Sequence, residues 1–374
     1  MSVLLLVLGL FLFVGLVVVH EFGHFVMARR GGVEVEEFGI GFPPRAKVLT
    51  KKNGTVFTLN WLPLGGFVKL KGENDADKSP GSFGAATLST KVKIMLAGVA
   101  MNLITAFALL TFLALVGMPK LIENQFTVAS DTKVIRQNVL VGVVEQGSPA
   151  AKAGLAQRDQ LLRVTYGGET SQIGSAENLP NITKRYEGQN VRLGILRGGQ
   201  EKELDITLRT KQEVEDSKKT DKPKGYLGIV PTEYIVQRST WSAPIVAGGF
   251  IKQVTALTFK GLGTALGSLF RGDTAKASAQ VAGPVGIFVL LKDGSLLGYQ
   301  FILMIVAIIS LTLAIMNALP IPALDGGRLF VTLLFRAFRK PLGKKTEDLI
   351  HGTGFAALML LFVLITIVDV KRFF

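Results

Sequence analysis

Long apolar runs alternate with polar stretches along this chain, and four of the runs are long enough to cross a membrane. A helix that spans the hydrocarbon core of a bilayer needs about 20 mostly apolar residues. We therefore predict spanning helices within residues 1–28, 92–118, 296–327 and 350–370. The pattern indicates a polytopic α-helical membrane protein with about four transmembrane helices.

The stretches between these runs carry shorter patterns. Residues 33–72 alternate between apolar and polar positions around several glycines, which predicts a β-hairpin sheet associated with the membrane. Residues 125–210 contain further alternations that are typical of a separate domain with short strands. We expect its strands at residues 139–144, 160–164, 191–197 and 203–208.

Two polar or mixed segments complete the predicted organisation. Residues 211–224 are dense in charge and poor in apolar side chains, so we expect a linker there. Residues 240–292 mix small, large apolar and a few basic residues, which is typical of amphipathic helices on a membrane face or of re-entrant segments.

Composition and charge narrow the class of protein. Hydrophobic residues make up 48% of the chain and charged residues only 19%, whereas a soluble domain carries about a quarter charged residues. This excludes a wholly soluble protein and a disordered one. The net charge of +14 is a candidate signal for nucleic acid, but in a membrane protein basic residues first hold loops on the cytoplasmic side. We expect no nucleic-acid partner.

The distribution of basic residues predicts the orientation. Residues 29–93 contain 11 Lys or Arg and 6 Asp or Glu, and residues 324–350 contain 6 and 3. Both loops, and with them the β-hairpin sheet, are therefore expected in the cytoplasm. The stretch 119–295 and both termini are then expected on the extracytoplasmic side of the membrane.

The motif His20-Glu21-Phe22-Gly23-His24 closes the first apolar run. Residues four apart share one face of a helix, so the two imidazoles can bind one metal ion, and neutral imidazoles suit zinc. Glu21 lies beside them and can act as a general base. The chain has three His and no Cys, and ionisable side chains at membrane depth are usually functional. The alternative is a helix end whose His side chains face lipid phosphates.

A catalytic zinc usually has three protein ligands and one open position, so a third ligand must come from elsewhere. We predict Asp325, because it follows a segment with two prolines and precedes two glycines, where a broken helix frees backbone groups beside a polar cavity. His351 stands among charged residues at the start of the fourth run, and we expect it at the membrane interface instead. A helix cap, or a partner for Arg328, is the alternative role for Asp325.

The predicted topology brings the His20–His24 pair and Asp325 to the same depth in the membrane. The first span enters from outside, and a helix of that length carries His20 roughly 28 Å across the bilayer. The third span also runs inward and has Asp325 at its inner end. This topology is consistent with a shared zinc site toward the cytoplasmic side. Had it put His20 and Asp325 at opposite faces of the membrane, a shared site would have been excluded.

The segment Ser148 to Leu155, followed by Arg158-Asp159, resembles the signature of a bacterial PDZ domain. A Ser cap, a Pro at the first helical position and a Gly at the end predict a short helix there. Most PDZ domains of this type have Gly-Asp where this chain has Arg158-Asp159. The resemblance implies one extracytoplasmic PDZ (α+β) domain over residues 125–210, with an unrelated small β-domain as the alternative.

Together, His20 to His24 in a first span, Leu324-Asp325-Gly326 in a later one and the intervening PDZ-like segment resemble the site-2 protease family of intramembrane zinc metalloproteases, in its bacterial RseP-type branch. Members cleave transmembrane segments of single-span proteins, such as anti-sigma factors or remnant signal peptides. The resemblance therefore implies a multi-pass protein of the bacterial inner membrane whose partners are the lipid bilayer, single-span substrates, and a peptide or substrate ectodomain at the PDZ domain.

The same resemblance implies a role for each site residue. It makes His20, His24 and Asp325 the Zn2+ ligands and Glu21 the general base. It implies that Asn317 and an edge of the cytoplasmic sheet bind the substrate backbone. The predicted edge residues are Gly66, Phe67, Val68, Lys69 and Leu70, and Val56 to Leu59 is expected to expose an edge as well.

Two readings other than a protease stay open at this point. The chain can be a PDZ-bearing membrane receptor or scaffold with a structural zinc site, although a closed site needs a fourth ligand and the chain offers no Cys. The second alternative is a metal transporter, but one His pair among four spans does not define a path along which a metal ion could cross.

Overall fold

The computed structural model describes residues 2–219, 223–273, 276, 278 and 281–374. The chain divides into two compact units. The first combines Met1–Leu115 with Trp241–Phe374, and the second is Val116–Thr240.

Four helices of the described chain are long and apolar enough to cross a membrane, as the sequence predicts. They are α1 (Ser2–Arg30), α2 (Leu88–Val116), α8 (Tyr299–Ala318) and α10 (Lys344–Phe373). The prediction that the third span continues to residue 327 is wrong. Pro320 and Pro322 cannot continue the helix, so α8 ends at Ala318 and Asp325 begins the separate helix α9 (Asp325–Ala337).

The predicted β-hairpin is present as β1 (Val35–Lys52) and β2 (Thr55–Leu70). Each strand is bent so that the ladder folds over itself. Residues 35–40 of β1 pair with 66–70 of β2 on one side and with 56–59 on the other, and 56–59 pairs in turn with 47–52. The expectation that Val56 to Leu59 exposes an edge is therefore wrong, because this segment is paired on both sides. Gly66 to Leu70 pairs with β1 alone and is an edge of the sheet.

Residues 240–292 form two helices within the described part of the chain. They are α6 (Ala243–Phe270) and α7 (Pro284–Gly294). The buried Asp369 of α10 accepts hydrogen bonds from the backbone N–H groups of Gly283 and Gly286, both at 2.8 Å. A carboxylate at this position caps the first turn of α7 and complements its dipole.

The second unit is built on a seven-stranded antiparallel sheet with the order β3-β9-β4-β5-β7-β8, in which β6 pairs with β5. Its strands and helices are β3 (Met118–Pro119), β4 (Lys133–Val144), α3 (Pro149–Lys152), β5 (Gln160–Tyr166), β6 (Glu169–Gln172), α4 (Leu179–Arg185), β7 (Asn190–Arg197), β8 (Gln200–Thr207), α5 (Lys211–Ser217) and β9 (Ile229–Arg238). The four predicted strands correspond to β4, β5, β7 and β8.

The compact unit is wider than the predicted 125–210. Strand β9 follows the predicted linker and pairs with almost the whole of β4. The linker prediction is also wrong for Lys211–Ser217, which forms α5 behind a capping box between Thr210 and Glu213. High charge density did not prevent a helix here, because Thr210 accepts from the N–H of Glu213 and the Glu213 side chain accepts from the N–H of Thr210. Residues 220–222 of the predicted linker lie outside the described residues.

The PDZ-like segment has the local structure that its residues predict. Ser148 caps α3 by accepting from the N–H of Ala151. Arg158 has a φ of +72°, a conformation that glycine adopts without strain, which accounts for the Gly found there in similar domains. The buried Asp159 accepts from Arg197 at 2.7 and 2.5 Å, and these hydrogen bonds raise the pKa of the Arg197 guanidinium.

Candidate metal centre

His20 and His24 lie one helical turn apart on α1 and are both buried, at 7% and 9% exposure. Their Nε2 atoms are 3.2 Å apart. An unbroken helix over Ser2–Arg30 produces this arrangement, because residues at i and i+4 point to the same side. The two nitrogens therefore face one point in space.

Asp325 completes the group. Its Oδ2 lies 3.0 Å from His20 Nε2 and 3.2 Å from His24 Nε2. These side chains are the group of potential metal ligands found in the described chain, so the structure brings together the three residues that the sequence singled out.

The turn before Asp325 is held from two sides. A Cβ on Gly327 would lie 1.9 Å from the carbonyl oxygen of Ile321, and one on Gly354 of α10 would lie 2.5 Å from Pro322. Only glycine permits these approaches. His351 of α10 accepts a hydrogen bond on Nδ1 from the N–H of Ala323, which has a φ of +77°. His351 is thus outside the ligand group but supports the turn that presents Asp325.

The remaining ring nitrogens fix the tautomers. Nδ1 of His24 lies 2.8 Å from the carbonyl oxygen of Ile94. A carbonyl only accepts, so Nδ1 carries the proton and Nε2 of the neutral ring presents a lone pair. Nδ1 of His20 lies 3.1 Å from the side-chain amide of Asn102 on α2.

The amide of Asn102 explains how His20 adopts the same tautomer. Its Oδ1 is buried and has no hydrogen-bond partner among the described residues. Oxygen and nitrogen of an amide are assigned from the hydrogen-bond network, and exchanging them lets Oδ1 accept from Nδ1–H of His20. The backbone carbonyl of Asn102 in turn accepts from Ser310 Oγ at 2.8 Å. Asn102 therefore orients His20 and is itself positioned by α8.

Two glycines allow α1 and α2 to meet closely at this site. A Cβ on Gly98 would lie 2.5 Å from His20 Cε1 and 2.5 Å from His24 Nε2. A Cβ on Gly23 would lie 2.6 Å from the carbonyl oxygen of Ala97. Any larger residue at either position must push the helices or the imidazoles apart.

Glu21 lies between the ligand group and the sheet edge. Its side chain lies beside this edge, because a Cβ on Gly66 would be 3.6 Å from the Cγ of Glu21. A cavity of about 120 Å³ is lined by Glu21, His24, Asp325, Val68 and Arg328 among others. This volume holds several water molecules, so Glu21 has room for a water between itself and the ligand group.

The three ligand atoms fit a zinc ion. Zinc ligands about 2.0–2.1 Å from a tetrahedral ion lie about 3.3 Å from one another, and the observed separations are 3.0 to 3.2 Å. Two imidazole lone pairs and a carboxylate oxygen at this separation repel one another unless a cation lies between them. Two His and one carboxylate form a known catalytic zinc set that leaves the fourth position open.

The other predicted site residues have different surroundings. Asn317 is half-buried in the last turn of α8, and its contact with a substrate stays a prediction. Gly66 to Leu70 forms the sheet edge whose Val68 lines the same cavity as Glu21. Sequence reasoning gave Gly98 and Asn102 no role at the site. The available signal was a glycine and an amide within an otherwise apolar span.

Comparison with known proteins agrees with this geometry. The model of peptidase family M50 matches residues 8–361. A protein of Clostridium perfringens that is named as a zinc metalloprotease is 31% identical over 98% of both chains. A protease named Eep of Enterococcus faecalis is 27% identical over 96% of this chain and 97% of its own. The zinc metalloprotease RasP of Geobacillus kaustophilus is 25% identical over 97% and 96%. The chain therefore belongs to peptidase family M50, the site-2 protease family of membrane zinc metalloproteases.

Proposed function

We propose that this zinc metalloprotease hydrolyses peptide bonds within the transmembrane segments of single-span membrane proteins, such as anti-sigma factors or remnant signal peptides. The observation that carries the proposal is the position of the ligand group. Two ligands lie on α1, which is long and apolar enough to span a membrane, and the third follows the break after α8, which is another such helix. A site built from spanning helices acts on bonds that reach it within the membrane.

In this proposal His20, His24 and Asp325 hold the zinc and Glu21 is the general base. Zinc held there would supply Lewis acidity toward the scissile carbonyl and the attacking water. Glu21 accepts a proton from the attacking water and transfers it to the leaving amine.

The substrate must unwind before it is cut, because a helix engages its carbonyls in its own hydrogen bonds. We infer that Gly66 to Leu70 pairs with the unwound segment and that Asn317 binds its backbone. Pairing at a sheet edge compensates the lost hydrogen bonds without requiring particular side chains. Among the described residues this edge pairs with β1 alone, and its Val68 lines the same cavity as Glu21, so a strand added there lies beside the base.

The second unit is, in this proposal, an extracytoplasmic PDZ domain that receives a peptide or a substrate ectodomain. Its capped α3 and the turn with Arg158 and Asp159 support that assignment. The basic loops support an orientation with the β-hairpin and the zinc toward the cytoplasm of a bacterial inner membrane. A receptor with a structural zinc is less well supported, because the described residues supply three ligands and a closed site needs four.

The test separates the base from the ligands. Glu21→Gln removes the proton acceptor and leaves both imidazoles and Asp325 in place. We expect cleavage of a single-span substrate in detergent or nanodiscs to fall by at least about two orders of magnitude, with one equivalent of zinc retained. A chelator must abolish cleavage by the unmodified chain. Near-normal turnover of Glu21→Gln would refute the assignment, and unchanged cleavage after complete removal of zinc would refute the mechanism.

A further inference from the structure

We propose that a basic pocket between the N-terminus of α2 and the C-terminus of α9 binds the phosphate headgroup of an anionic phospholipid. The pocket has a volume of about 600 Å³ and is distinct from the metal centre. Five of its lining side chains are basic, namely Lys78, Lys91, Arg336, Arg339 and Lys340, and one is acidic, Asp75.

The single carboxylate is already neutralised. Lys91 is 1% exposed, forms an ion pair with Asp75 and donates to the carbonyl oxygen of Gly84 at 3.0 Å. Lys78 donates to the carbonyl oxygens of Asp75 and Gly84 at 2.6 and 2.8 Å. These contacts fix one wall of the pocket and leave a net positive charge within it.

The opposite wall carries cations without carboxylate partners. Arg336, Arg339 and Lys340 are exposed and form no ion pair with any other residue that the structure describes. Three such charges in one concave site attract a dianionic or monoanionic phosphate. Thr87 caps the start of α2 by accepting from the N–H of Thr90, so the positive end of that helix dipole adds to the same potential.

The backbone at Arg339 is unfavourable for this residue. Arg339 has a φ of +53°, and Lys340 N–H returns to the carbonyl of Phe335 at 2.9 Å, which closes the end of α9. Glycine is the residue that such a helix end favours. An arginine there strains the backbone, and strained non-glycine residues cluster where a side chain has a function.

The source of the phosphate is indicated by the exposed face of α9. Phe330, Leu333 and Leu334 are 48%, 41% and 37% exposed and share one face of the helix, at positions i, i+3 and i+4. An apolar stripe next to a basic cluster is typical of a helix that lies in the membrane interface. The pocket at its C-terminal end is then at headgroup depth, where basic clusters bind anionic lipids. A soluble phosphate compound would need no such apolar stripe.

The experiment uses the full chain, purified with zinc in a neutral detergent, and two soluble short-chain lipids, dihexanoyl phosphatidylglycerol and dihexanoyl phosphatidylcholine. We expect the anionic lipid to bind at least about tenfold more tightly. The triple variant Arg336→Gln/Arg339→Gln/Lys340→Gln should lose this preference. The matched control Lys47→Gln/Lys51→Gln/Lys52→Gln removes the same charge from exposed lysines of the hairpin and should keep it. Retained zinc shows that each variant is folded.

A single variant separates binding from a structural role of Arg339. Arg339→Gly relieves the strained backbone and should leave thermal stability unchanged or higher, yet weaken binding of the anionic lipid about fivefold, as expected for one lost charge. Equal binding of both lipids, or a triple variant that keeps the preference, would overturn the proposal. So would inorganic phosphate that binds as tightly as the lipid and displaces it, because the site would then be one for free phosphate.

Discussion

Gly98 determines how closely α2 approaches the two imidazoles, because any Cβ at this position overlaps both rings. We expect Gly98→Ala to lower the affinity for zinc by at least about tenfold and activity with it, since the overlap must move ligand atoms that zinc requires in fixed positions. The measurement is zinc affinity by competition with a chelator. Gly15→Ala is the matched control on α1, where a Cβ meets nothing within 4 Å. Equal affinity of both variants would show that the rings have room to move.

Asn102 acts on the metal through His20. Removing its side-chain acceptor in Asn102→Leu leaves Nδ1–H of His20 unpaired and the ring free to turn. Partners of metal-bound His typically contribute about 10–100-fold to metal affinity, and we expect a loss in that range. Asn102→Asp keeps an oxygen at this position and should restore most of the affinity. If the Leu variant binds zinc as tightly as the unmodified chain, the packing of α1 alone orients His20.

At the scale of the elements, the sheet edge is tied to catalysis through the direction of its N–H groups. Leu70 N–H donates to the side chain of Glu73 at 3.0 Å and therefore points away from β1, and the N–H of Val68, two residues earlier, has the same direction. The N–H groups of successive residues in a strand point in opposite directions, so those of Phe67 and Lys69 point toward β1. The N–H groups of Gly66, Val68 and Leu70 therefore lie along the edge that faces Glu21.

We predict that Val68→Pro abolishes most cleavage while zinc stays bound. Proline removes the outward N–H without removing a ladder donor, so an incoming strand loses a donor beside Glu21. Val68→Ala is the matched control, because it shortens the side chain and keeps the N–H, and we expect most of its activity to remain. Turnover and zinc content are measured on the same preparations. A proline variant that cleaves normally would separate this edge from substrate binding.

At the scale of the whole molecule, the two compact units have separate cores. The second unit buries its own apolar cluster, which includes Leu161, Leu193, Ile195 and Ile206, and all three potential zinc ligands lie in the first. Replacing residues 116–240 by a short Gly/Ser linker should therefore leave zinc content unchanged and alter which substrates are cut. The excision must include β9, since a cut at residue 210 leaves β4 without its partner. A membrane-inserted variant that has lost zinc would show that the units are coupled.

The sequence alone determined the features that local rules govern. Apolar runs of spanning length follow from the thickness of a bilayer, and four such helices are present. The shared face of His20 and His24 follows from helical periodicity. Asp325 was predicted from the prolines and glycines that break the helix around it, the chain direction through the spans agreed with that choice, and the ligand atoms lie together. Capping residues likewise predicted α3.

Only the tertiary structure decided which distant segments meet. Alternating patterns predicted strands but not their neighbours, so Val56 to Leu59 was expected at an edge and lies inside the sheet, and β9 was missed because its partner β4 lies far away along the chain. The roles of Gly98 and Asn102 depend on α1 and α2 packing within contact distance. The physical reason is that secondary structure depends on neighbours a few residues away, whereas strand pairing and helix packing are decided by burial and fit between segments far apart in sequence.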